Sequence, residues 1–229
     1  MNTHYTYFLI LAIAVAGPLA LSFDKKVAFY TKWKYLLLPL LIPALLYIAW
    51  DIYFTYIGTW WFNEKYYVTA SRVFNLPLEE ILFFFLVPYC CVFIYECIRC
   101  YFPGLKNKKT GDFILISLAI FLLVTGIIFR NRMYTSWVGI LLAAYIGLIY
   151  LLRKFFGSFD AISFLVAFLI IIVPFLLVNG FLTGTPVVEY NDPEILNIRI
   201  YTIPVEDVFY GMLLSLMNIS IYEKVLKRK

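Results

Sequence analysis

Seven stretches of the sequence, residues 5–22, 35–53, 78–98, 113–129, 133–152, 161–182 and 205–222, are nearly unbroken apolar runs. Each is long enough, at ~1.5 Å of rise per helical residue, to cross a bilayer core of ~30 Å. Within lipid the backbone has to satisfy its own hydrogen bonds, and a single run does that only as a helix. The expected fold is therefore all-α, a polytopic membrane protein of seven transmembrane helices. The balance of 63% hydrophobic to 14% charged residues in a chain of 229 lies outside the range of soluble domains. The opening "MNTHYTY" holds no Lys or Arg, and the first run passes through Gly17-Pro18 without a small-residue cleavage pattern. It is expected to persist as a helix rather than to act as a removable signal.

An odd number of spans places the termini on opposite sides. With the N-terminus outside, the inner segments hold 14 of the 19 Lys and Arg, and the outer segments hold 5, namely Lys65, Arg72, Arg130, Arg132 and Arg199. That asymmetry predicts an N-out, C-in orientation, with the cell membrane as the expected location. The net charge of +5 is then an orientation signal and an attraction to anionic lipid. No basic patch interleaves with aromatics in a soluble segment, so nucleic acid is not an expected partner. Cys90, Cys91, Cys97 and Cys100 crowd the inner half of the third run. Cys97 and Cys100 form a C-x-x-C, but Cys90 lies ~10 Å along the helix and the sole histidine, His4, belongs to the other face. These are read as packing thiols, with no metal site expected. No G-x-G-x-x-G follows a strand, no paired Asp-rich motif offers Mg²⁺ to a diphosphate, and residues 205–222 contain no lysine for a retinal Schiff base.

The chain also repeats itself. Moved by 127 places, residues 76–96 fall on 203–223 with 6 of 21 positions identical, among them Pro77 on Pro204, Glu79 on Glu206 and Glu96 on Glu223. Glu80 falls on Asp207, so both copies read P-x-E-(E/D). At a shift of 128, Asp51 meets Asn179, Thr55 meets Thr183 and Asn63 meets Asn191; farther back, outside that shift, "SFD" recurs at Ser22 and Ser158. The expected organisation is one three-helix unit over residues 1–104, a linker helix over 105–132, and a second unit over 133–229. The odd linker gives both units the same orientation. Parallel repeats build a shared site where they meet.

Each P-x-E-(E/D) suits a helix start, because proline is tolerated in the first turn and carboxylates there meet the positive end of the helix dipole. Two matched acidic pairs on membrane helices nevertheless point to function, since charge inside a bilayer is costly. Adjacent helical residues diverge by ~100°, so one acid of each pair is expected to face the bundle. Glu96 and Glu223 lie ~25 Å further on and are expected to pair with Arg99 and Lys227. The outer loops, residues 54–76 and 183–203, are candidate lids. Trp60, Trp61, Tyr66 and Tyr67 are expected as interfacial anchors.

The stretches "PLALSFD", "YIAWD", "LPLEEILFFFLVPYCCVFIYE", "VNGFLTG" and "RIYTIPVEDVFYGMLLSLMNISIYE" make the chain resemble the integral-membrane lycopene cyclases of the two-unit type. These occur as heterodimers or fused chains and are unrelated to the flavin-containing cyclases. The resemblance implies a lycopene β-cyclase that needs no cofactor. It would close linear carotenoid ends to β-ionone rings by adding a proton, forming a carbon–carbon bond and removing a proton. It implies that Glu79, Glu80, Glu206 and Asp207 are catalytic, with Glu79 and Glu206 taken as the inward acids and Glu80 and Asp207 as their proton partners. Asp51, Asn179, Phe83 and Tyr210 are the residues expected to contact substrate. The implied partners are lycopene or a related linear carotenoid, membrane lipid, and other enzymes of carotenoid synthesis. The alternative is a non-catalytic carotenoid or lipid binder, or a carrier, built on the same repeat.

Overall fold

A computed structural model of the chain describes residues 3–68, 72–105, 108–157 and 159–227. Ser158 of the second "SFD", and Lys106, Arg228 and Lys229 of the charge tally, lie outside the described residues. The α-helices are α1 (Thr6–Leu21), α2 (Leu37–Tyr56), α3 (Leu78–Tyr101), α4 (Lys108–Ile128), α5 (Met133–Leu151), α6 (Ala161–Gly184) and α7 (Val205–Leu226). All but α7 are long and apolar enough to cross a membrane. The chain is an all-α polytopic membrane protein.

The seventh helix has the length of a span, 22 residues, but less apolarity, and its position explains why. It packs among α2, α3, α5 and α6 and buries 14 residues, including Ser215, Asn218 and Ser220. Those side chains donate back to carbonyls of their own helix, Met212 O, Leu214 O and Met217 O. A helix enclosed by protein needs no lipid-matching surface. The reverse holds for α1, where Tyr7 and Leu11 are the buried residues of 16 and the remainder is apolar because it faces outward.

Packing follows the repeat. Helix α1 lies on α3 as α5 lies on α7, α6 meets α3 as α2 meets α7, and α3 and α7 adjoin each other. The two motif helices are thus central neighbours, held by partners from both halves. Helix α4 stands outside this arrangement, against α5 and α6. It approaches α5 closely at Gly139, where an added Cβ would fall 2.6 Å from Leu122 O.

Short strands set the starts of α3 and α7. Strands β2 (Arg72–Val73) and β3 (Leu76–Pro77) form one tight hairpin, and β5 (Arg199–Ile200) and β6 (Ile203–Pro204) form another. Both turn on a bulky residue in the left-handed region, Phe74 at φ 56° and Tyr201 at φ 59°, positions again 127 apart. Pro77 and Pro204 then hold extended backbone immediately before the first helical residue. The loop after α2 contains β1 (Trp60–Phe62) and the loop after α6 contains β4 (Val188–Tyr190), and these pair antiparallel with Trp60 opposite Tyr190. The two expected lids are joined into one small sheet spanning both halves.

At the far ends of α3 and α7 the ion pairs also cross the repeat. Arg99 donates to Glu96 at 3.3 Å and to Glu223 at 2.6 Å, Tyr95 donates to Glu223 at 3.1 Å, and Lys32 bonds to Glu96. Arg99 therefore holds Glu223 in the role expected of Lys227. The four cysteines are free thiols.

Candidate active site

Acids at adjacent positions in the first turn of a helix cannot share a direction, and the loops in front of α3 and α7 decide which of them turns inward. Glu79 turns to its loop, where Oε1 accepts the Val68 amide at 3.0 Å. Glu206 does the same, with Oε1 accepting the Leu196 amide at 2.7 Å and the Thr135 hydroxyl at 2.5 Å. In both, Oε2 is buried and takes no hydrogen bond from the described residues. Glu80 and Asp207 point the other way. The Tyr7 hydroxyl on α1 donates to Glu80 Oε2 at 2.5 Å, and the Tyr134 hydroxyl on α5 donates to Asp207 Oδ1 at 2.8 Å. The two tyrosines stand 127 positions apart, so each repeat supplies its own hydroxyl to its own acid.

The remaining partners break the symmetry. Tyr190 on β4 donates to Asp207 Oδ2 at 2.8 Å, whereas the matching position on β1 is Phe62. Burial, followed by the Asp207 charge, holds the Tyr190 hydroxyl well above the usual phenol range, so it stays protonated and able to donate. Glu80 instead shares the wall of one cavity with a second acid, Asp51 of α2, whose counterpart on α6 is Asn179. Asp51 Oδ1 accepts the Tyr210 hydroxyl at 3.2 Å, and Phe83 occupies the position matching Tyr210.

These groups enclose a cavity of about 50 Å³ lined by Asp51, Glu80, Asn179, Asp207 and Tyr210, together with Trp60, Phe62, Tyr134, Leu182, Val188 and Tyr190. Glu80 is 8% exposed, Asp207 3% and Asp51 2%, so the carboxyls are buried. Five residues expected from the sequence meet here. Glu79, Glu206 and Phe83 do not, and the orientation within each acidic pair is the reverse of the expected one. Phe83 lines a separate apolar cavity of about 140 Å³ with residues of α1, α3 and α6. A cavity of about 430 Å³ between α2, α5 and α7 is its counterpart in the other half, with Leu141, Tyr145 and Met217 in the places of Ala14, Pro18 and Cys90.

The rings around the acid cavity form a cage. Tyr134 lies 5.1 Å from Trp60, 5.9 Å from Tyr190 and 5.9 Å from Tyr210, centroid to centroid, and Trp60 lies 6.1 Å from Tyr190. Trp60 is buried and only its neighbour Trp61 is exposed, so the expected interfacial pair divides between core and surface. Tyr67 is likewise buried. A strand alternates its faces, which is the signal that distinguishes Trp60 from Trp61. Tyr7, Tyr134 and Tyr190 were not expected at the site, although Tyr7 and Tyr134 obey the shift that aligns the acids. Buried carboxyls beside π faces can exchange a proton with an apolar molecule and stabilise a cation formed from it.

The family model described as lycopene cyclase matches the chain twice, over residues 4–98 and 131–225. The chain belongs to the lycopene cyclase family. Each matched stretch carries one P-x-E-(E/D) and one of the two hydroxyl donors, Tyr7 or Tyr134, so this lycopene cyclase is a two-unit repeat with a like set of groups in each unit. Family membership makes it a carotenoid cyclase acting on a linear carotenoid. Neither a curated protein nor a solved structure matches the chain.

Proposed function

We propose that this lycopene cyclase converts lycopene to β-carotene by a proton-initiated closure of each end to a β-ionone ring, without change of oxidation state. The observation that carries this reading is the convergence of Glu80 and Asp207, one from each repeat, on a cavity otherwise walled by rings and apolar side chains. A proton moves from a carboxyl to the terminal double bond and forms a C–H bond there. The cation left on the neighbouring carbon is attacked by the next double bond, which closes the ring. A carboxylate then removes a proton beside the ring cation, and that C–H electron pair becomes the ring double bond. One proton enters and one leaves.

Glu80 and Asp207 are the reacting acids in this scheme. Glu79 and Glu206 complete the catalytic motif by holding the loops that roof the cavity, and Asp51, Asn179 and Tyr210 complete its wall. Trp60, Tyr134, Tyr190 and Tyr210 shelter the cation, a contact worth ~2 kcal/mol when desolvated. In this reading the protein lies in the cell membrane, N-terminus outside, with residues 1–104 and 133–229 as the units and 105–132 as the linker. Membranes containing the chain, given lycopene, are expected to return a product of unchanged mass with a blue-shifted, ring-shortened polyene spectrum. Pigment returned unaltered would overturn the reading in favour of a binder or carrier.

A further inference from the structure

We infer that the two repeats divide the proton work at one composite site: the Asp51–Glu80 pair donates the proton, and Asp207, held by Tyr134 and Tyr190, takes one back. The inference rests on the cyclase reading above. A duplicated chain would by default carry two equivalent acids, each able to give and receive. Here the surroundings of the two acids differ at three matched positions, and all three differences favour opposite tasks.

Asp207 receives a hydroxyl on each oxygen, from Tyr134 and from Tyr190. Hydrogen bonds donated to a carboxylate favour its charged form, so the two hydroxyls suit Asp207 to accept a proton and to balance a nearby cation. Among the described residues Glu80 has one such donor, Tyr7, because the place of Tyr190 is taken by Phe62. Its other neighbour is Asp51, whose Oδ2 is buried without a hydrogen bond from the described residues. Two carboxyls on the wall of one buried cavity disfavour double ionisation, which suits the pair to carry a proton. Among the described residues no Lys or Arg lines the cavity. In the second repeat Asn179, which cannot carry an acidic proton, occupies the position of Asp51. Tyr210 in place of Phe83 supplies the hydroxyl that fixes Asp51 Oδ1.

The proton balance closes across the cavity. The Asp51–Glu80 pair loses its proton to the terminal carbon and Asp207 gains one from the ring carbon; between turnovers Asp207 gives its proton to water and the pair takes one from water, which restores both.

Turnover of lycopene in deuterated water tests the division. The unaltered protein is expected to place one deuterium in each ring it forms. Asp207→Asn is expected to lower ring formation by ~100-fold or more, the scale of general acid–base catalysis, while deuterium still enters the ends of recovered lycopene, since protonation persists and reverses. Glu80→Gln is expected to give neither ring nor deuterium. Asp51→Asn inserts the residue the second repeat already has, keeps an acceptor for Tyr210, and is expected to reduce deuterium entry by ~10-fold or more. Protein extracted from the membranes is quantified for each variant, and Asp51→Asn decides the matter if either acid variant fails to accumulate. The division is overturned if Asp207→Asn excludes deuterium as completely as Glu80→Gln, if each of those two retains half the activity, or if Asp51→Asn takes up deuterium at the normal rate. Failure of the unaltered protein to form rings overturns the cyclase reading itself, whereas ring formation with any of the variant patterns just named removes only the division of labour.

Discussion

Glu79 and Glu206 show how one carboxylate can serve the backbone. Each places one oxygen on an amide of the preceding loop, so the acid ties the loop to the first turn of the helix beneath it. Glu79→Ala leaves the Val68 amide without its partner and is expected to cost ~1–3 kcal/mol, read as a lower midpoint of thermal unfolding in detergent, while Glu79→Gln keeps an acceptor and most of the stability. Equal midpoints for the two variants would remove the clasp. Tyr190→Phe gives β4 the residue that β1 has at Phe62, takes one hydroxyl from Asp207, and is expected to slow turnover ~10-fold through loss of about one charged hydrogen bond, with membrane insertion unchanged. The acidic pairs were legible in the sequence, but their inward members were not. Neighbouring residues diverge by ~100°, and the choice between them belongs to Val68 and Leu196, loop amides with no side-chain pattern. Tyr7 and Tyr134 were legible in principle, since the shift of 127 joins them, yet an isolated tyrosine at the head of an apolar helix reads equally well as an interfacial anchor.

Helix α7 carries the second motif and also the largest departure from the first repeat. Where α3 has Phe84, packed 5.5 Å from Tyr47, α7 has Gly211, and the Phe175 ring of α6 occupies the space a side chain would take, 2.6 Å from an added Cβ. Gly211→Ala is expected to push Phe175 aside at a cost of ~1–3 kcal/mol, measurable as earlier heat inactivation in detergent; an unshifted inactivation curve would mean that the ring yields freely. Gly139 is stricter, because its obstacle is the Leu122 carbonyl rather than a movable ring. Gly139→Leu is expected to part α4 from α5 and to abolish stably inserted protein, assayed by solubilisation yield. The difference between Phe84 and Gly211 was readable as an inequality of the halves. That Phe175 fills the gap was not, since α6 is apolar on every side and its periodicity does not single out one face.

The molecule is tied together at both ends of its central helix pair. The β1–β4 sheet joins the halves over the cavity, and Arg99 joins them at the opposite end by bonding Glu96 and Glu223. Arg99→Met removes the shared cation from two carboxyls that are each 3% exposed or less, and is expected to lower the unfolding midpoint in detergent by an amount equivalent to ~1–3 kcal/mol, with the turnover of still-folded protein unchanged. Duplication and adjacency of the motifs follow from the 127-residue shift; the cross-repeat bond of Arg99 does not, because spacing along one helix favours local partners. The cavity between Glu80 and Asp207 draws on both halves at once. If that cavity is the one site of proton transfer, a symmetrical polyene presented to it is expected to engage one terminus at a time, and to withdraw, reverse and re-enter before its second terminus reacts. The ratio of half-finished to finished pigment would then record a race between departure and reversal, and it should rise whenever fresh substrate is abundant enough to win the vacancy.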